Sequence, residues 1–126
     1  MNAQYIGIDT SCYTTSAACA ENGSIVSDRR TMLRVASGER GLRQSDGVFQ
    51  HVRNLAEIMP ALMADAERIR IKAVAVSTRP RPEQDSYMPV FLAGKTAAIT
   101  LANALDVRLK IHRSEERFSR NAETDL

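Results

Sequence analysis

Gln4-Tyr5-Ile6-Gly7-Ile8-Asp9-Thr10-Ser11-Cys12-Tyr13-Thr14-Thr15-Ser16-Ala17-Ala18-Cys19-Ala20-Glu21-Asn22-Gly23 is the stretch on which the fold turns. It holds two β-rich runs, Gln4 to Asp9 and Thr14 to Ala20, separated by a short polar turn. Asn22-Gly23 follows, and both residues tolerate the positive φ that a tight hairpin requires. Ser24 to Ser27 then reads as a third strand, so the chain opens as an antiparallel meander.

Downstream the period changes. Residues 34 to 47 carry glycines and charges and read as a surface loop. Val48, Val52, Leu55, Met59, Leu62, Ala66 and Ile69 recur at steps of three and four, the spacing of one helix face. Pro60 lacks an N–H and crowds the preceding turn, so a kink or break is expected there. Lys72 to Ser77 is too short for a typical helix and reads as a strand buried on both faces. Pro80 and Pro82 make Thr78 to Asp85 an extended loop. Phe91, Gly94, Ala98, Leu101 and Leu105 mark a second helix, and Val107 to Ile111 a fifth strand.

The order βββαβαβ predicts an α/β fold with a mixed sheet of about five strands, a ribonuclease H-like outline. Residues 1–112 are expected to form one lobe. Residues 113–126 carry seven charged side chains and only two large apolar ones, Phe118 and Leu126, and are expected to be an irregular or disordered tail. A truncated or frame-shifted gene is one origin for such a tail.

Composition narrows the class. Apolar residues make up 44% and charged residues 25%, as in ordinary globular chains and unlike disordered or fibrous ones. No apolar run approaches the roughly 18 residues of a membrane span, and neither export nor membrane insertion is expected. The two cysteines, Cys12 and Cys19, read as reduced thiols, and a cytoplasmic location is expected. The net charge of +2 is small, but Arg29, Arg30, Arg34, Arg40, Arg43 and Arg53 share one stretch and Arg79 and Arg81 another. Such stretches either contact phosphates or are scattered, solvated side chains.

Asp9 to Ser16 is the segment best suited to chemistry. Backbone N–H groups and the hydroxyls of Thr10, Ser11 and Thr14 can donate to phosphate oxygens, and Asp9 at a strand tip could orient a metal-bound water. The same residues also suit an ordinary capped hairpin. Asp9, Thr10, Ser11, Cys12, Thr14, Thr15 and Ser16 are therefore the candidate nucleotide- or phosphate-binding residues.

Ile8-Asp9-Thr10-Ser11-Cys12 followed by Thr15-Ser16 is similar to the I-D-T-S-C-D-E-T-S opening of the TsaD family, also called glycoprotease or peptidase M22. Gln50-His51-Val52-Arg53-Asn54-Leu55 and Ala73-Val74-Ala75-Val76-Ser77-Thr78 agree in order with later family segments. Arg79-Pro80-Arg81-Pro82 and Ser86-Tyr87-Met88-Pro89-Val90-Phe91 resemble a Gram-positive, clostridial-type branch, which also carries Tyr-Thr-Thr where the main family has Asp-Glu-Thr. The resemblance spans roughly residues 4 to 110.

It implies an actin-like ATPase (ribonuclease H-like) lobe of a cytosolic tRNA N6-adenosine threonylcarbamoyltransferase that uses a divalent metal and an adenylate substrate. The family holds its metal with an H-x-x-x-H helix and a late aspartate. This chain has His51 and His112 only, and Arg113-Ser114-Glu115-Glu116 follows His112. No catalytic residue and no metal ligand is assigned, and no cofactor is expected on this chain alone. The resemblance leaves two functions open: the first lobe of a TsaD-like transferase, incomplete and inactive alone, or a non-catalytic dimerising scaffold like the shorter paralogue of that machinery. The expected partners are a second copy or a TsaD- or TsaB-like protein, with tRNA as a candidate and no membrane.

Overall fold

The structure, a computed structural model, describes residues 2–11, 13–39, 41–78 and 89–112. The expected element order holds: β1 (Gln4–Asp9), β2 (Thr14–Glu21), β3 (Ser24–Met32), α1 (Gln44–Asp65), β4 (Ile71–Ser77), α2 (Val90–Leu105) and β5 (Arg108–His112). The proline-rich loop and residues 113–126 lie outside the described residues. Among the described residues, no helix is long and apolar enough to cross a membrane.

Asn22 and Gly23 both adopt positive φ, 56° and 80°, and close the β2–β3 hairpin as their chemistry requires. β3 runs to Met32, well past the expected end at Ser27, because Thr14 to Ala18 of β2 pair with Asp28 to Met32. The apolar code could not show this, since most of the added residues are charged or polar. The sheet order is β3-β2-β1-β4-β5. β1 is antiparallel to β2 and parallel to β4, and β4 is parallel to β5. The chain thus builds outward on one side of β1 and then on the other.

Alternation along the strands divides the sheet into two faces. Ile6 and Ile8 of β1, Ala17 and Cys19 of β2, and Val74 and Val76 of β4 turn one way and join Leu55, Ile58 and Leu62 of α1 and Ala93, Ala98 and Ala102 of α2 in one core. The two helices pack on each other and on this same face. β4 is buried through Val74 and Val76 on the helix side, while on the opposite side Ala73 is buried and Ala75 only partly covered.

α1 departs from its expected face. The buried residues are Gly47, His51, Asn54, Leu55, Ile58 and Leu62, while Val52 is exposed and Ile69 lies beyond the helix. The apolar stripe is displaced because two polar side chains, His51 and Asn54, occupy core positions. The helix also runs through Pro60 without a break. Pro60 sits on the exposed side, and so does Ala56, whose carbonyl loses the usual partner four residues on, so water can take the place of the missing N–H.

Polar clamps close the end of the sheet where β1 starts and β2 ends, and tie α1 to the edge strand β3. Buried Gln4 accepts the Glu67 N–H at 2.8 Å and donates to Glu21 at 2.8 Å. Arg70 bridges Glu21 at 2.6 Å and Glu67 at 2.7 Å. Ser27 and Arg29 both donate to Asp65, which fixes the end of α1 to β3.

The Gln4 and Arg70 hydrogen bonds hold the Glu21 carboxyl below the ordinary glutamate range, and Arg29 and Ser27 do the same for Asp65. A folded-state pKa below the unfolded one stabilises the fold above the unfolded value, and that contribution is lost as pH falls through the folded one. Denaturant midpoints are expected to drop as pH passes below about 4, the ordinary carboxylate range. Glu21→Gln should flatten this dependence, and an unchanged pH slope in the variant would remove Glu21 from the account.

Candidate functional site

Five of the candidate residues, Thr10 and Thr15 against Asp9, Thr14 and Ser16, divide between the two sides of the sheet. Thr10 and Thr15 point inward and are fully buried. Thr10 Oγ1 donates to the Val90 carbonyl at 2.8 Å and accepts the Gly94 N–H at 3.1 Å. Those groups are four residues apart in the first turns of α2, so the hydroxyl sits across one carbonyl–amide pair near the start of the helix. Gly94 permits this approach, since a Cβ there would lie 2.9 Å from Thr10 Oγ1.

Thr15 makes the matching attachment to α1. Its hydroxyl lies 2.8 Å from His51 Nδ1, in hydrogen-bond geometry, and accepts Asn54 Nδ2 at 3.0 Å. His51 is fully buried and Asn54 nearly so. Burial of an imidazole and an amide is tolerable only with such partners. This cluster was not legible in the sequence, although two polar residues three apart on a helix flanking an apolar stripe are its one visible trace.

Asp9, Thr14 and Ser16 lie on the other side. One Asp9 carboxylate oxygen accepts the Ser11 N–H at 2.7 Å, an Asx-type turn that shapes the exit from β1. Cys12 lies outside the described residues. Asp9 pairs with Ser16 across β1 and β2, Ser16 with Arg30 across β2 and β3, and Ser77 with His112 across β4 and β5. These five side chains make a polar row. Beside it runs a row of small residues, Ala18, Gly7 and Ala75, in which Gly7 of β1 is the partner of Ala18 on β2 and of Ala75 on β4.

Together the rows border an open groove of about 380 Å³. Asp9, Ser77 and His112 are the last residues of the three parallel strands β1, β4 and β5. Between β1 and β4 the order of connection reverses, and the carboxyl ends of strands at such a switch point are where open α/β sheets receive ligands. A Cβ placed on Gly7 would meet nothing within 4 Å, so the floor is flat at its centre.

Electrostatics moderate the arginine-rich stretch. Arg30 is paired with Asp28 at 3.1 Å, which raises its pKa, and Arg29 with Asp65 at 2.6 Å. Arg53 stacks 5.4 Å over the exposed Phe49 ring, and Gln50 ties the backbone of Arg34 through both N–H and carbonyl. Arg40, Arg79 and Arg81 lie outside the described residues. A metal centre needs several convergent donors. Among the described residues, no three His, Cys, Asp or Glu side chains come together, so these residues do not fit one.

No protein-family model and no curated protein matches the chain. Solved structures do. YeaZ from Pseudomonas aeruginosa superposes with a TM-score of 0.59 at 13% identity, over 94% of this chain and 50% of that one. A structure described as an uncharacterized protein with similarity to peptidase YeaZ from the same organism gives 0.58 at 14%, with the same coverage. Thermus thermophilus RuvC in complex with a Holliday junction substrate gives 0.51 at 13%, over 98% of this chain and 71% of that one. The chain thus spans about half the length of the YeaZ structures it matches. Its fold is the mixed α/β sheet of ribonuclease H-like, actin-like proteins.

The inward hydroxyls yield a direct test. Thr15→Val keeps the shape but removes the hydroxyl that His51 Nδ1 and Asn54 Nδ2 share, and a buried polar atom left unsatisfied costs about 1–3 kcal/mol. Urea unfolding should show a loss of that size, largely recovered in Thr15→Ser. Gly94→Ala, which forces a Cβ against Thr10, should cost about 1–3 kcal/mol through overpacking. Unchanged midpoints in both variants would show that these attachments do not hold the helices.

Proposed function

We propose that this chain is a non-catalytic, dimerising scaffold lobe of the tRNA threonylcarbamoyladenosine machinery, the role that its resemblance to the TsaD family leaves to a shorter paralogue. The observation that carries this reading is the orientation of Thr10 and Thr15. A phosphate cradle needs its hydroxyls turned toward the ligand. Here two of the motif's hydroxyls are buried and engaged with α1 and α2. Thr10 and Thr15 thereby serve the architecture of the lobe.

Two further facts agree. The sequence contains no H-x-x-x-H, and His51 is held inside the core. The fold likeness to YeaZ covers nearly all of this chain and half of that protein. A scaffold lobe of this kind would bind a second copy or a TsaD-like transferase, and tRNA would be reached through that assembly.

One observation favours the other reading, half of a nucleotide-holding site in a TsaD-like transferase. The groove at the carboxyl ends of β1 and β4 is lined by Asp9, Ser16 and Ser77, polar groups that could meet part of an adenylate. In that reading the opposite wall comes from a second lobe.

Size-exclusion chromatography with light scattering, run on this chain alone and mixed with a full-length TsaD-type transferase, is expected to show a dimer or a stable complex. A strict monomer that captures no transferase would overturn the scaffold reading. Isothermal titration with ATP at millimolar concentration is expected to give no binding heat. Saturable heat that disappears in Asp9→Ala would instead support the nucleotide-holding reading.

A further inference from the structure

We draw no further inference here: the strongest candidate, the open sheet face floored by Gly7, Ala18 and Ala75, borders the groove already described, and nothing in the structure shows what covers it.

Discussion

Two hydroxyls, one at the end of β1 and one at the start of β2, hold this lobe together. Thr10 engages the first turns of α2, and Thr15 engages His51 and Asn54 of α1. Both helices are thus referred to a single hairpin, which fixes how far along the sheet each one sits. Hydrophobic burial alone is non-directional and would leave that position loosely set. The polar contacts add direction, and their buried atoms make any displacement costly.

This arrangement also explains the sheet's asymmetry. With both helices drawn to one face, that face acquires the branched side chains of Ile6, Ile8, Val74 and Val76. The opposite face keeps small and polar residues in register across the strands. Asp9 stands at the join. Its carboxylate shapes the turn through Ser11 while lining the groove, so the residue most suggestive of chemistry also has a structural duty.

The hairpin, the strand order along the chain and both helices could be read from residue patterns, because Asn22-Gly23 has a backbone requirement and the helices have a period. α2 was the clearer case: Phe91, Gly94 and Ala98 are buried as their spacing implies. α1 was less legible, since the apolar period points through Val52 while the structure buries His51 and Asn54. A polar residue in a core is intelligible only once its partner is known, and Thr15 lies 36 residues away from His51.

The sequence by itself determined local matters: where the chain turns, which segments prefer strand or helix, and that the stretch from Asp9 to Ser16 is rich in hydroxyls. It also showed that the H-x-x-x-H spacing is absent. Only the tertiary structure decided which hydroxyls face the core and which face the groove, since successive strand residues alternate sides and pairing selects the side that the helices cover. It also decided that Asp9, Ser77 and His112 end neighbouring strands. Residues so far apart in the chain are brought together by parallel pairing, a long-range contact that no local pattern encodes.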